Sequence, residues 1–345
     1  MLRKLLAAVL AAACLSVCAS AQGADGGLIL DYIDDENGWF FKFGFLDEDG
    51  DIRIPYVYDY AEPFSCGYAL VRQGSKLYFI DTNNQPAFGS DKSKYHFYTS
   101  FREGLCAVEK DGKCGYIDTN GNRVIDLVFD EAYNFSEGLA AVAVDGAYGY
   151  INNNGNVVID YRFDEAGEFE NGFAIVQKNG YCGFIDRSGA ERTPFVYEDA
   201  SGFSEGLAAV RLHGKYTYTD QNGALQFEPI FEEAYDFTDG IARVKLDGKY
   251  GFVRADGTYQ VAPDFDALSP YYGSYAIAGR YVADGVLWYG LIDEYGNRVC
   301  PFSYDSIVYQ DGRFVLTKNG QTSYLDHTLQ PIAADEITTE SGDIK

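Results

Sequence analysis

The sequence is poor in the residues that several classes of function require. Its 345 residues include one methionine and three histidines, and 27 lysines and arginines stand against 52 aspartates and glutamates. The resulting formal charge of -25 excludes nucleic acid and anionic lipid as expected partners, because an acidic surface repels polyanions. The histidines do not cluster with a serine or cysteine nucleophile, and no phosphate loop or dinucleotide fingerprint occurs. Catalytic residues, a cofactor and a metal site are therefore not predicted.

Long hydrophobic runs are absent beyond the N-terminus, so we predict no transmembrane segment. After a short basic start the chain is apolar as far as Cys18, and small residues end at Ala21, where a signal peptidase would cut before Gln22. We predict a signal peptide over residues 1–21 and a secreted protein, extracellular or periplasmic. A cell-surface lipoprotein, lipidated at Cys14 or Cys18, is the alternative.

Internal repetition is the dominant feature of the rest of the chain. A Phe-x-x-Gly segment recurs at intervals of 34 residues, and an earlier copy lies 37 residues upstream of this series. The copies are Phe64–Gly67, Phe101–Gly104, Phe135–Gly138, Phe169–Gly172, Phe203–Gly206 and Phe237–Gly240. A fixed period indicates one supersecondary unit copied along the chain. Helical tetratricopeptide repeats share this period, but glycine every few residues and period-two alternation exclude them.

Each repeat is predicted to be a three-stranded antiparallel β-meander. In one copy the apolar runs 139–144 and 147–151 flank Asp145-Gly146, the strongest short signal for a β-hairpin. A second turn at Asn152–Gly155 leads to a third strand, and a short linker such as Phe163–Ala166 leads to the next repeat. The fold class is therefore all-β, built from tandem meanders of about 34 residues.

The hairpin turns also fix the strand register. With Asp111-Gly112 as a two-residue turn, Val108 lies opposite Gly115 and Cys106 opposite Ile117. Both faces of the resulting sheet are apolar, so we expect neighbouring sheets to cover both. A propeller-like ring and an open β-superhelix both satisfy this expectation. We predict one domain over residues 22–335, with eight to nine repeats, and a C-terminal tail over residues 336–345.

Two segments of the repeat resemble bacterial WG-repeat proteins. Lys113–Asp118 and Lys249–Val253 are similar to the family's Lys-Trp-Gly-Tyr-Ile-Asp segment, and the Phe-x-x-Gly segments are similar to its Phe-x-x-Gly-Leu-Ala-x-Val segment. The resemblance covers roughly residues 36–332. Tyrosine or cysteine replaces the tryptophan at Tyr148, Tyr250, Tyr289, Cys114 and Cys182, and Tyr216-Thr217 lacks the glycine. The resemblance implies an interaction scaffold without established catalytic residues.

Most apparent motifs align with the repeat and therefore have a structural interpretation. The five cysteines of the mature chain are expected to be buried and free, with one disulfide as the alternative. They are Cys66, Cys106, Cys114, Cys182 and Cys300. Acid pairs such as Asp130-Glu131 recur before alanine in successive repeats, which favours a turn or linker role over a glycosidase pair. Asp47–Asp51 and the Asp-x-Asn-Gly segments are typical of tight turns, with structural calcium as the alternative.

Two segments interrupt the repetition, Pro86–Ser100 and Tyr271–Gly290. The second contains the candidate binding residues Tyr271, Tyr272, Tyr275, Arg280, Tyr281 and Trp288. Exposed aromatic rings beside arginine are typical contacts for a protein or a glycan, although the same rings could be core residues of a longer hairpin.

We therefore predict an exported, non-enzymatic, monomeric repeat scaffold that binds a protein or a glycan. A propeller-type glycoside hydrolase or lyase is one alternative, and a structural cell-envelope lipoprotein is the other.

Overall fold

The structure is a computed structural model that describes residues 27–34, 41–88, 95–97, 99–282, 285–310 and 312–333. The predicted signal peptide with Cys14 and Cys18, residue Trp39 and the predicted tail at 336–345 lie outside the described residues. The described residues form strands and turns, without a helix, and so none of them provides a helix that could span a membrane.

Antiparallel strands form nine separate sheets in the described part of the chain, and strands that follow each other in sequence are neighbours within each sheet. The first sheet contains β1 (Ile29–Asp34), β2 (Phe41–Leu46) and β3 (Ile52–Tyr58), and the second contains β4 (Tyr60–Ala61), β5 (Tyr68–Gln73) and β6 (Lys76–Asp81). The third contains β7 (His96–Phe97), β8 (Leu105–Lys110), β9 (Lys113–Asp118) and β10 (Arg123–Phe129). The fourth contains β11 (Glu131–Ala132), β12 (Leu139–Val144), β13 (Ala147–Asn152) and β14 (Val157–Phe163).

The later sheets continue the pattern. The fifth contains β15 (Glu165–Ala166), β16 (Phe173–Lys178) and β17 (Tyr181–Asp186), and the sixth contains β18 (Asp199–Ala200), β19 (Leu207–Leu212) and β20 (Lys215–Asp220). The seventh contains β21 (Glu233–Ala234), β22 (Ile241–Leu246), β23 (Lys249–Arg254) and β24 (Tyr259–Phe265). The eighth contains β25 (Ala267–Tyr272), β26 (Tyr275–Tyr281), β27 (Leu287–Ile292) and β28 (Arg298–Tyr304). The ninth contains β29 (Ser306–Gln310), β30 (Arg313–Lys318), β31 (Gln321–Asp326) and β32 (Pro331–Ile332). The predicted all-β fold of tandem meanders is confirmed.

The chain divides into two compact units. Unit 1 comprises Met1–Gly180 and Phe184–Glu191, and unit 2 comprises Tyr181–Gly183 and Arg192–Lys345. The single domain over residues 22–335 stays a prediction.

The Phe-x-x-Gly segment forms a hairpin turn of its own. Ser136 and Leu139 exchange backbone hydrogen bonds of 2.9 and 3.1 Å, and both residues between them have positive φ, 53° at Glu137 and 78° at Gly138. This is the geometry of a two-residue type I′ turn, in which the second position favours glycine. The segment that the sequence predicts as a linker forms a short strand. The Phe-x-x-Gly turn follows it and reverses the chain, so that the first strand of the long hairpin pairs with this short strand. The predicted three-stranded meander therefore gains a short fourth strand, such as β11.

The register is the one that the turns predict. Cys106 pairs with Ile117 and Val108 with Gly115, and Lys110 closes the hairpin opposite Lys113. Both faces of the central strands are buried, as in β12, where Leu139 through Ala143 are all buried.

Neighbouring sheets pack face to face within each compact unit. In unit 1, Ala107 and Tyr116 of the third sheet share a core with Ala140, Val142 and Ile151 of the fourth. The larger side chains of one sheet thus fill the space over the small side chains of the next, which is how close packing of repeated sheets is achieved.

Four of the five cysteines are buried and free, as predicted. They are Cys106, Cys114, Cys182 and Cys300, and burial raises the pKa of the Cys106 thiol to about 12. Cys66 differs because it lies half-buried at the first position of a hairpin turn, with φ of 53°.

Candidate functional site

The recurring acid pairs have structural partners. Asp130 accepts a hydrogen bond from the Asp145 amide at 2.7 Å, within the turn of the next hairpin, and pairs with the Lys113 ammonium at 2.5 Å. The Lys113 contact lowers the pKa of the Asp130 carboxyl. Later repeats hold the same turn through Glu198 and Gly214, and through Glu232 and Gly248. The first acid of each pair therefore anchors a hairpin turn, in agreement with the predicted turn role.

The second acid of a pair holds the tyrosine that replaces the family tryptophan. The Tyr148 hydroxyl donates to Glu131 at 2.6 Å, and Tyr250 donates to Glu233 at 2.8 Å. In a third copy Tyr216 donates to Asp199 at 2.6 Å. The carboxylate precedes the tyrosine by 17 residues in each case. Each tyrosine that replaces the tryptophan therefore has a hydrogen-bond acceptor at the same position of its repeat.

The Asp-rich turns use their carboxylates to bind backbone amides. Asp47 accepts hydrogen bonds from the amides of Asp49 and Asp51 at 3.0 and 2.9 Å, and Asp118 accepts from Asn120 and Asn122 at 3.0 and 2.8 Å. These bonds lower the pKa of both carboxyls. Among the described residues, no group of three or more acidic, histidine or cysteine side chains is arranged to hold a metal ion.

Tyr271 occupies the place of the phenylalanine in the Phe-x-x-Gly segment, 34 residues after Phe237. Its ring stacks on Phe252 with centroids 4.6 Å apart and an angle of 29° between the planes. In earlier repeats the same pair is phenylalanine against a buried aromatic ring, as in Phe135 and Tyr116 at 4.9 Å. Burial raises the pKa of the Tyr271 hydroxyl, which donates to the Asp293 carbonyl at 3.3 Å.

The other predicted binding residues contact different parts of the structure. Tyr272 and Tyr275 pair across the β25–β26 turn, and Tyr272 stacks on Tyr309 with centroids 4.6 Å apart. The Arg280 guanidinium lies over the Phe265 ring at 4.7 Å and pairs with Asp264.

Trp288 pairs with Arg280 in the strand register, and Tyr281 is 60% exposed. The structure thus brings together Tyr272 with Tyr275 and Arg280 with Trp288, but it does not bring all six residues into one site. Their role in binding stays a prediction.

The other irregular segment, Pro86–Ser100, is described only in part. Its Phe88 packs against Tyr68, Phe79 and Phe101, with ring centroids 5.0 to 5.9 Å apart. This described ring therefore belongs to the hydrophobic core of unit 1.

A strand position that the sequence analysis missed carries the clearest departure from the repeat. Arg243 lies on β22 at a position that holds small or apolar residues in four other copies, Ala107, Ala141, Ile175 and Ala209. Its guanidinium lies 3.9 Å from the Tyr235 ring centroid, and Nη1 donates to the Leu268 carbonyl at 2.5 Å. The Nε atom is buried without a hydrogen-bond partner in the described part of the chain. Comparison of every strand position among the repeats would have identified this residue.

Arg243 borders a cavity of about 520 Å³ between the seventh and eighth sheets, both in unit 2. We name it the Arg243 pocket. Its lining residues are Tyr235, Asp236, Thr238, Asp239, Ile241, Arg243, Phe252, Gln260, Pro270, Tyr271, Gly273, Ser274 and Glu294. Of the six predicted binding residues, Tyr271 alone belongs to this lining. The Gln260 amide donates to the Glu294 carbonyl at 2.6 Å, which ties the two sides of the pocket together.

The Arg243 pocket combines apolar surface with groups of both charge signs. Tyr235, Phe252 and Tyr271 provide aromatic surface, and the lining also includes three acidic residues and one arginine. The carboxylates of Asp236 and Asp239 make no hydrogen bond or ion pair with other described residues. They are therefore free to accept hydrogen bonds from a ligand.

No curated protein matches the chain. Among solved structures, Hsv2 of Kluyveromyces lactis is 10% identical, with a TM-score of 0.34 over 66% of this chain and 94% of that one. AztD of Citrobacter koseri is 13% identical, with a TM-score of 0.33 over 84% of this chain and 90% of that one. PorZ of Porphyromonas gingivalis is 11% identical, with a TM-score of 0.31 over 88% of this chain and 52% of that one. At TM-scores this low, the likenesses carry no argument.

The family comparison identifies the repeat itself. The model of the WG containing repeat matches residues 43–76, 92–114, 115–146, 148–182, 183–216 and 217–250. The matched segments make up more than half of the chain and agree with the Phe-x-x-Gly turns and the following hairpins. This protein therefore belongs to the family defined by the WG containing repeat.

Proposed function

We propose that this protein is an exported, non-enzymatic repeat scaffold that binds a protein or a glycan through the Arg243 pocket. The observation that carries the proposal is the single replacement of a small or apolar strand residue by Arg243, at the border of a pocket. In a repeat protein, scaffold residues recur from copy to copy, whereas a binding site needs a surface that differs.

The dimensions and the lining of the Arg243 pocket support a binding role. Its volume of about 520 Å³ lies within the range of about 300–1,000 Å³ that is usual for ligand sites. Such sites are largely apolar and contain a few placed polar groups. Here Tyr235, Phe252 and Tyr271 supply the apolar surface, while Arg243 and the carboxylates supply the polar groups.

Export is the second part of the proposal and rests on the first 21 residues. Expression of the full chain in a bacterial host, followed by fractionation and mass spectrometry, tests it. We expect a mature protein that begins at Gln22 in the periplasm or the medium. A diacylglyceryl group on Cys14 or Cys18 would support the lipoprotein alternative, and retention of residues 1–21 on a cytoplasmic protein would contradict export.

Binding is tested with residues 22–345 on a glycan array and in pull-down from envelope and secreted proteins. The variant Arg243→Ala installs the residue of the sister position Ala209 and should weaken capture of the partner. Arg211→Ala removes one positive charge from unit 2 outside the pocket and serves as the matched control. Equal capture by wild type and Arg243→Ala would contradict binding through the pocket.

The enzymatic alternative, a glycoside hydrolase or lyase, is tested on the same array by mass analysis of the released sugars. Such an enzyme needs two carboxylates at a set separation. Glycan cleavage that is lost on substitution of Asp236 or Asp239 would contradict the non-enzymatic part of the proposal.

A further inference from the structure

We infer that the Arg243 pocket recognises a neutral, hydroxyl-rich glycan segment. The inference rests on the proposed binding function and names the chemical class of ligand. A hydrogen bond from the turn of one repeat to the turn of the next recurs along the chain and is missing at this pocket.

Elsewhere the acid of the Phe-x-x-Gly turn binds the corresponding turn of the next repeat. Glu103 accepts a hydrogen bond from the Gly138 amide at 2.9 Å, and Glu205 accepts one from the Gly240 amide at 2.9 Å. Glu137 binds the Gly172 amide in the same way, at 3.1 and 3.2 Å. In these three copies, the acid and the amide are 35 residues apart.

Asp239 occupies this acidic position at the pocket, but it has no corresponding bond to the next repeat. The next turn differs, since Tyr272 and Tyr275 pair across Gly273 and Ser274 in place of the usual Glu-Gly turn. The Asp239 carboxylate therefore remains free and borders the pocket. At the junction of the seventh and eighth sheets, the acid that has lost its structural partner therefore lines the pocket.

The mixed charge of the lining decides between classes of ligand. A simple cation would meet the guanidinium of Arg243, and a simple anion would meet the carboxylates of Asp236, Asp239 and Glu294. A hydroxyl group is both a donor and an acceptor, so it satisfies carboxylates and a guanidinium at the same time. A neutral sugar chain presents several such hydroxyls in a fixed arrangement.

The apolar part of the lining fits the same ligand. Tyr235, Ile241 and Pro270 contribute apolar surface beside the polar groups, and Phe252 and Tyr271 stack on each other within the pocket wall. A pyranose ring carries C–H faces between its hydroxyls, and aromatic side chains with a polar handle match such a surface. The pocket volume limits recognition to a short segment of a chain.

The experiment uses neutral oligosaccharides of glucose, mannose, galactose and N-acetylglucosamine, first on an array and then in calorimetric titration with residues 22–345. Three variants install residues that sister repeats already have: Arg243→Ala as at 209, Tyr235→Ser as at 201 and Asp236→Asn as at 134. We expect each to weaken binding about tenfold while the melting temperature of unit 2 stays high enough for titration. Arg211→Ala should bind as the wild type does.

Salt dependence separates the classes of partner. Binding of a neutral glycan should change less than about twofold between low and high salt, because no ion pair is formed with the ligand. Binding confined to a basic protein, with affinity that falls steeply with salt, would overturn the glycan inference and leave the proposed function standing. Binding confined to acidic oligosaccharides, or glycan binding unaffected by all three variants, would also overturn it. Failure to bind any glycan or protein would overturn both proposals.

Discussion

The glycine of the WG repeat lies beneath a bulge of the next strand, and adding one methyl group there tests this explanation. In the fourth sheet Tyr148 pairs with Phe163 and Tyr150 with Ile159, so three residues of β14 pass over the single residue Gly149. A Cβ on Gly149 would lie 2.5 Å from the Ile159 carbonyl oxygen. It would also lie 2.9 Å from the Tyr161 nitrogen. Both atoms belong to the backbone, so a side-chain rotation cannot relieve the contact.

The magnitude of the effect of Gly149→Ala follows from these contacts. Overpacking of a filled site costs about 1–3 kcal/mol, and a backbone obstacle places this case near the upper end. The lower entropy of the unfolded alanine chain offsets about 0.4–1 kcal/mol. We therefore expect a net loss of about 2 kcal/mol in the free energy of unfolding. For a unit of this size, that loss lowers the melting temperature by roughly 4–8 °C.

The assay is thermal and urea unfolding of residues 22–345, followed by circular dichroism, with Gly183→Ala as the control. Gly183 holds the same place one repeat later, but a Cβ there would meet the ring of Phe195 at 2.9 Å and no backbone atom among its three nearest contacts. The control should lose less stability because the ring can shift. A wild-type melting temperature for Gly149→Ala, or an equal loss in both variants, would refute the bulge as the reason for the glycine.

Three further substitutions test the packing and the electrostatics of unit 1. Val142→Asp places an unpaired carboxylate in a fully buried site and should cost about 3–5 kcal/mol, measured by urea unfolding. Tyr150→Phe removes the 2.8 Å hydrogen bond to the Gly167 carbonyl and should cost about 1–2 kcal/mol by the same measurement. Burial raises the pKa of Glu168 in the folded state, so protonation favours folding and the cost of its charge is present above the folded pKa. Glu168→Gln should therefore stabilise the protein at pH 7, and the gain should shrink as the pH falls through the folded pKa and vanish below about 4.3, the ordinary pKa of glutamate.

Each of these outcomes has a clear contrary result. Unchanged stability of Val142→Asp would show that this strand position is not buried between neighbouring sheets. If Tyr150→Phe has the stability of the wild type, the buried ring contributes through packing alone, as phenylalanine does at the sister position Phe184. A gain for Glu168→Gln that is equal at pH 7 and pH 3 would exclude ionisation of Glu168 as its source.

The sequence was sufficient for the parts of the fold that turns determine. An Asp-Gly turn of two residues leaves only one register for the flanking strands, and for this reason the pairing of Cys106 with Ile117 was predictable. The short strands such as Glu131–Ala132 were not predictable, because two residues carry no alternation. The sequence predicts linkers at these positions, and the structure shows that they pair with the long hairpins.

The candidate site was harder to predict because its signal is a difference between copies. The segments that interrupt the repeat predict Tyr271 as a binding residue, and Tyr271 lines the pocket. Arg243 lies inside a regular strand and interrupts no spacing, so only a comparison of equivalent strand positions reveals it. The free state of Asp239 is not visible in the sequence, since its sister positions Glu103, Glu137 and Glu205 also carry a carboxylate and differ in what that carboxylate binds.

The copy that lacks the family glycine supports the bulge explanation independently. Thr217 takes the place of Gly149 two repeats later and is fully buried. In that copy the third strand is reduced to isolated bridges, Tyr216 with Phe231 and Thr219 with Leu225. The Thr217 hydroxyl donates to the Phe227 carbonyl at 2.6 Å and so occupies space that a bulged strand fills in other repeats. A side chain is therefore tolerated where the bulged strand is absent. This agrees with the smaller loss expected for Gly183→Ala, because the third strand of the fifth sheet is likewise reduced to isolated bridges, Cys182 with Tyr197 and Ile185 with Glu191.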